Sequence, residues 1–205
     1  MAKIRLTKSE LKKQKEELKM YKQYLPTLQL KKQQLQMEIN KIQHMLDDEK
    51  KNLEKFEKSM AGWIGVFAEE VGLKDLIEAE KVLTETGNIA GIDIPVFKEV
   101  RFREEAYDLV RTPLWVDDGV GAVKEMITYK VKIMILEEQL RLVQEELRTT
   151  TQRVNLFEKV KIPEKQENIR KIQIFLGDLD TAAVVTGKIA KEKIQKKENH
   201  PVGAK

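Results

Sequence analysis

At 205 residues, with 35% charged and only 6% aromatic side chains, the chain carries far more surface-forming residues than a thick globular core needs. It has no cysteine, which excludes a disulfide framework and thiol chemistry, and its net charge is +4 at pH 7. No apolar run reaches the ~20 residues that span a bilayer, and MAKIRLTKSELKK lacks the apolar centre of a signal peptide, so the expectation is intracellular residence with no direct membrane insertion.

Ala, Glu, Lys, Leu and Arg supply 95 of the 205 residues, close to the share seen in coiled coils and long helices. The charge is divided by segment. Residues 1–60 carry +6, residues 61–119 carry −7 and residues 120–205 carry +5. Basic runs of this kind are usually solvated faces. A nucleic-acid surface is not expected, because acidic residues interleave and no aromatic platform accompanies the lysines.

The first predicted element is a helix over residues 1–60. Steps of seven from Leu11 meet Leu11, Leu18, Leu25, Lys32, Ile39, Leu46, Leu53 and Met60. Three residues on, the companion series meets Gln14, Tyr21, Leu28, Leu35, Ile42, Glu49, Phe56 and Trp63. Thirteen of these sixteen positions are apolar, a sustained coiled-coil seam. Thr7 or Ser9 is placed to cap it, and Thr7 with Glu10 has capping-box spacing. Some 50 residues of helix span roughly 75 Å. Pro26 predicts a bend, and Gly62 and Gly65 weaken the helix beyond Met60.

Residues 61–119 form a central insert. Val71 to Gly87 reads as a short helix ended by Gly87. Within Asn88 to Phe102, Ile92, Ile94 and Val96 alternate, as do Val100 and Phe102, which predicts a β-hairpin near 88–102. Pro95 argues for an edge strand or a bulge. Arg111 to Gly121 reads as a loop leading into the last helix. Trp63 and Trp115 flank the insert and are expected to pack where the coil meets it.

The last coil segment covers residues 120–190. Its seam runs Ile133, Leu136, Leu140, Val143, Leu147, Thr150, Val154, Phe157, and resumes after Pro163 as Ile169, Ile172, Leu176, Leu179, Ala183. The phase slips by one residue between the two runs. An interior proline costs a helix about 3 kcal/mol. A kink with a change of register near Pro163 is therefore expected. Residues 191–205 read as a frayed basic tail, with little apolar content from Lys188 onward. Two long amphipathic helices in one chain cover their seams most simply by folding back on each other. The expected fold is mainly α: a long antiparallel two-helix coiled coil with a small insert holding a β-hairpin and short helices.

No chemistry emerges from the motifs. Gly187-Lys188 ends like a phosphate loop, but the earlier glycine position is Ala182. Gly119 and Gly121 begin a dinucleotide pattern that Lys124 breaks. The only histidines are His44 and His200, too few for a zinc site. Glu69-Glu70, Glu104-Glu105 and Asp117-Asp118 are adjacent pairs, which point apart on a helix and read as solvated carboxylates or caps. No active site, metal or cofactor is expected.

Three stretches carry a resemblance. LTKSELKKQKEELKMYKQYLPTLQLKKQQL resembles the opening of the D subunits of V-type (A-type) rotary ATPases. Arg153, Val154, Asn155, Glu158, Val160, Ile162 and Pro163 match that family's Arg-Val-Asn-Ala-Leu-Glu-x-Val-x-Ile-Pro segment, with Leu156 and Phe157 in place of Ala and Leu. Gly91 to Phe97 is similar to its central hairpin. The order is right over nearly the whole chain. After about Gly177, GDLDTAAVVTGKIA departs from the strongly charged helix usual in the family. The resemblance implies a non-catalytic central rotor shaft passing torque between an ATP-hydrolysing head and an ion-translocating membrane ring. Its implied partners are the catalytic and non-catalytic head subunits, a small companion of the stalk (the F subunit) and a cap subunit on the membrane ring. It implies a cytoplasmic location, peripheral to the cell membrane.

On this basis the expected partner contacts are Ile92, Ile94, Pro95, Val96 and Phe97 in the hairpin, with Arg153, Asn155 and Pro163 in the last helix. Pro163 is expected either to shape an asymmetric shaft or simply to set register. The acidic insert is expected to dock a basic cap subunit. The main alternative is a prefoldin-like coiled-coil chaperone, which also joins two helices through a β-hairpin.

Overall fold

Residues 4–62, 77–104, 113 and 115–198 are described by the computed structural model, with only the backbone of residues 104, 197 and 198. The expectations placed on Trp63, Gly65, Glu69-Glu70, residues 71–76, Glu105 and the tail from residue 199 fall outside these residues, as do the short helices of the insert. The elements are α1 (Lys8–Met60), β1 (Ile77–Ile89), β2 (Ile92–Glu104), α2 (Trp115–Leu156), a π-helical turn (Phe157–Lys161) and α3 (Ile162–Glu198). The chain divides into two compact units: residues 1–29 with 152–205, and residues 30–151.

Helix α1 starts where Thr7 supplies its cap. The Glu10 amide donates to Thr7 Oγ1 at 3.2 Å, satisfying one of the free N–H groups of the first turn. The Glu10 carboxylate accepts from Gln14 Nε2 at 2.7 Å. The helix continues through Pro26, whose ring denies the Lys22 carbonyl its usual donor. Every described seam position of α1 is buried or half-buried except Lys32. At that level Lys31 turns inward instead and binds Glu146 at 2.7 Å.

In the unit of residues 30–151, α1 and α2 run antiparallel. Lys50 pairs with Glu137 at 2.9 Å, and the ring centroids of Phe56 and Tyr129 lie 5.9 Å apart. Leu35, Ile39, Ile42 and Val143 form the core, and Ile94 of the hairpin is buried with them. Strands β1 and β2 pair antiparallel from Ile77↔Glu104 to Ile89↔Ile92. The turn is Ala90-Gly91, with φ of 52° and 84°. Positive φ at both central residues is the two-residue turn that suits the twist of a hairpin. Asn88 braces it, accepting from the Gly91 amide at 3.0 Å and donating to Asp93 at 2.9 Å. A Cβ at Gly87 would lie 2.7 Å from Val96 Cγ2, so a larger residue there would force the Val96 side chain to shift.

Two expectations are corrected here. Residues 77–87 are strand, not the end of a helix. Most of β1 is exposed, so neither face shows the alternation that marks a half-buried strand. Trp115 to Gly121 is the first part of α2, not loop. The Val116 amide closes a turn on the Pro113 carbonyl at 3.0 Å, and Asp117 and Asp118 occupy the first helical turn, where the helix dipole favours negative charge. Val116 and Val120 bury there against Ile77, with Phe102 and Trp115 alongside.

In the unit of residues 1–29 and 152–205, the helices again run antiparallel. Tyr21 meets Phe157 with ring centroids 5.0 Å apart, Glu17 binds Lys165 at 2.6 Å, and Gln14 accepts from Asn168 at 3.4 Å. Between the first two contacts α1 moves four residues and the opposing helical segment moves eight. The π turn lies in that interval and supplies one of the four additional residues. Ile162 N–H donates to the Phe157 carbonyl, five residues back. Pro163 has no N–H, which leaves the Lys159 carbonyl without its α-helical donor and favours a looser turn just before the ring.

Candidate functional site: a bare helix end and a cleft beneath the hairpin

The C-terminal seam ends sooner than its sequence predicts. Ile169 and Leu176 are half-buried and Ile172 is fully buried, but Leu179 and Ala183 are exposed. All residues from 177 to 196 are exposed, and the segment is helical as far as Glu198. Leu179, Val184, Val185, Ile189 and Ile194 stand 48–59% exposed. Full burial of one such side chain is worth about 1.5–3 kcal/mol. Residues 181–187 contain no charge. The hydroxyls of Thr181 and Thr186 donate to the carbonyls of Gly177 and Ala182, at 2.9 and 2.8 Å. With its hydroxyls turned onto its own backbone, this part of the helix offers apolar surface on every side.

In the same unit, the seam beside the π turn is polar. Lys165 is largely buried, which disfavours its charge, yet the hydrogen bond and charge of Glu17, helped by Glu164 and Tyr21, hold its pKa above the usual lysine value. Gln14 and Asn168 are both buried and face each other. Such pairs cost stability and define register. Arg153 and Asn155 are exposed on either side of buried Val154, and Pro163 is exposed.

In the other unit, a cleft of about 530 Å³ opens between α1, the hairpin and α2. Val96 and Phe97 line it, and Ile94 forms part of its wall from the core side. Ile92 packs against the core cluster, and the Pro95 carbonyl accepts from Gln139 Nε2 at 2.5 Å. Lys132 spans the cleft wall with its ammonium 5.6 Å from the Phe97 ring centroid and 5.7 Å from that of Tyr129. Gln139 is buried although it lies off the predicted seam; only the folding of the hairpin onto α2 makes it an interior residue.

Among the described residues no three His, Asp or Glu side chains are grouped to hold a metal ion. Gly119, Gly121 and Gly187 lie within helices, not in loops that free backbone N–H groups for phosphate. Among the described residues no helix is long and apolar enough to cross a membrane.

A paired coil with a central hairpin, and the order of the three sequence stretches, both point to one family. Residues 10–192 match the family of ATP synthase D subunits. The chain belongs to that family. It is 48% identical to the V-type ATP synthase D subunit of Borreliella burgdorferi over 197 residues, covering 96% of this chain and 98% of the relative. It is 34% identical to that of Chlamydia pneumoniae over 200 residues, covering 94% and 93%. With that of Chlamydia caviae it shares 35% over 203 residues, 96% of each chain. Membership makes this chain a subunit of an ATP synthase complex, with partners inside that complex.

Proposed function

We propose that this chain is the central rotor shaft of a V-type ATP synthase, non-catalytic itself, passing torque between an ATP-hydrolysing head and an ion-translocating membrane ring. The observation that carries the reading is the bare end of α3. Twenty consecutive residues, 177–196, outlast the helix that covers the rest of the seam, and they expose apolar side chains around the helix. The uncharged part of this helix, residues 181–187, is apolar on every side, and such a surface is stable when it is enclosed. An enclosing ring of head subunits, catalytic and non-catalytic, provides such a surface and leaves the helix free to turn. The uncharged stretch 181–187 suits that role, because it holds no ion pair that would lock one orientation.

The π turn before Pro163 fits the same reading. A change of register gives the shaft different faces at different heights, as a part that acts on several clefts in turn requires. Arg153 and Asn155, exposed just ahead of it, are proposed contacts to the head. The companion F subunit of the stalk is the proposed partner of the hairpin region, and a cap subunit on the membrane ring that of the acidic insert. The complex then sits in the cytoplasm, peripheral to the cell membrane. The test is direct observation. With the head immobilised and a bead fixed to this chain at an exposed lysine such as Lys55, ATP should drive unidirectional rotation. A bead that stays still while ATP is hydrolysed would overturn the reading.

A further inference from the structure

The first turns of α1 carry a row of unanswered positive charge. Lys8, Lys12, Lys15, Lys19 and Lys22 are spaced by four, three, four and three residues, so they stand on one side of the helix over about 21 Å. All five are exposed. Among the described residues none of the five has an ion-pair partner. Like charges at these spacings oppose one another and weaken a helix. Farther along α1 the pattern differs. Lys41, Lys51 and Lys58 are answered by Glu38, Asp48 and Glu54 one turn back, at 2.6, 3.5 and 2.6 Å. Steps of seven from Lys8 pass Lys15 and Lys22, then Gln29, Gln36 and Gln43, and reach Lys50, which binds Glu137 of α2 at 2.9 Å. The same heptad position therefore pairs its charge in one unit and leaves it unpaired in the other. The row borders a groove of about 380 Å³, where half-buried Leu11 supplies apolar lining and Glu16 makes no ion pair with the lysines beside it. Its place along the unit is also defined. Gln14 meets Asn168 and the helices run antiparallel, so Lys8 lies near the level at which α3 becomes exposed, at residue 177.

We infer that this row is a docking and steering surface for a carboxylate-rich segment of the subunit that encloses the adjoining end of α3. The unpaired charge sets the sign of the partner. The reach fits about four turns of an acidic helix or roughly six residues of an acidic strand. A membrane surface fits less well, because an interfacial helix buries its apolar face in lipid, and here that face of α1 is taken by the opposing helix. The row holds lysine and no arginine. Lysine is a flexible, strongly hydrated point charge, without the planar fork that fixes a carboxylate in one geometry. Exposed contacts of this kind are screened by salt and act on the rate of approach more than on the strength of the final complex. The inference deepens the shaft reading, and it rests on that reading for which subunit comes.

The test uses the full-length chain and the assembled complex. In the complex, a zero-length carbodiimide should join lysines of the row to aspartates or glutamates of a head subunit, and the cross-linked peptides should fall in one acidic segment. Lys8→Gln, Lys12→Gln, Lys15→Gln, Lys19→Gln and Lys22→Gln together should slow entry of the chain into a head assembled without it by about 10-fold or more at low ionic strength, and the difference should vanish in high salt. Lys12→Gln with Lys19→Gln is the milder variant and should show the same salt-dependent slowing in smaller measure. Glutamine at Lys32, Lys41, Lys51, Lys55 and Lys58 changes the net charge equally and should slow entry far less. The free row variant should keep its thermal midpoint or gain, since it loses only like-charge repulsion. Equal entry rates for the row and control variants would overturn the inference, as would cross-links from the row to this chain alone. If the row variant lost binding to vesicles of anionic phospholipid yet entered the head at the unchanged rate, the surface would be a membrane contact and the inference would fall. Hydrogen exchange over 177–196 is read on the same complex. Protection there without any effect of the row refutes the docking surface alone, whereas no protection refutes the shaft reading.

Discussion

The two units solve the same packing problem differently. In residues 30–151 the coil gains a third layer, the hairpin, and Leu35, Ile42 and Val143 become wholly inaccessible. In residues 1–29 and 152–205 there is no such layer among the described residues. The seam there includes Gln14, Asn168 and the Lys165–Glu17 pair, and α3 continues exposed from residue 177 to 196. One unit is held by its own apolar core. The other has polar pairs in its seam and leaves its last apolar surface exposed.

Truncation in the core is the strongest way to break this contrast. Leu35→Ala should cost about 2–5 kcal/mol in urea unfolding, the range for emptying a well-packed site. Leu179→Ala, on the bare helix, should change the free chain by less than about 0.5 kcal/mol. Similar losses at both positions would erase the distinction between the units. Next comes the polar seam. Asn168→Leu alone should destabilise by about 1–3 kcal/mol, because it leaves buried Gln14 short of a partner. Combining it with Gln14→Leu should recover that loss or exceed it. A double variant no better than the single would mean the pair contributes more than register.

A smaller effect is expected at the hairpin turn. Ala90 holds a φ of 52°, where a side chain costs roughly 1 kcal/mol. Ala90→Gly should recover part of this, partly offset by the greater freedom of glycine in the unfolded chain. Equilibrium unfolding measures it, and clear destabilisation would show that the Ala90 methyl group matters more as packing against the core. The smallest effect is on pH. The folded pKa of Lys165 is raised, so its pair with Glu17 contributes fully below the unfolded lysine value near about 10.4 and is lost as pH rises through the folded value. Lys165→Gln should remove that alkaline component, worth under about 1 kcal/mol. An unchanged alkaline limb of the stability profile would contradict the assignment.

These differences were unevenly legible in the sequence. The heptads of α1 named its buried face almost residue by residue, because a seam of period 3.5 has one way to sit against a partner. The one-residue slip near Pro163 announced a local change of helix, and the structure places a π turn there. Strand β1 was hidden because its mostly exposed faces impose no alternation. Its Glu, Ala, Lys and Leu residues favour helix in isolation. The start of α2 did leave a signal, Pro113 followed by Asp117 and Asp118, which the neighbouring glycines masked. The bare end could not be read from α3 at all. Leu179 and Ala183 continue the seam, and only the start of α1 at Lys8 determines where cover runs out. Glu49 was visible as a misfit in the seam; the cleft it lines depends on the hairpin folding back.

If residues 177–196 are built to be enclosed by other subunits, their backbone must change its exposure when the complex assembles. Hydrogen exchange followed by mass spectrometry, on the free chain and on the assembled complex, tests this most directly. Rapid exchange over 177–196 is expected in the free chain and strong protection in the complex, while residues 35–42 are protected in both. Equal exchange over 177–196 in the two states would mean that this helix end stays bare, and would contradict its role as the enclosed end of a shaft.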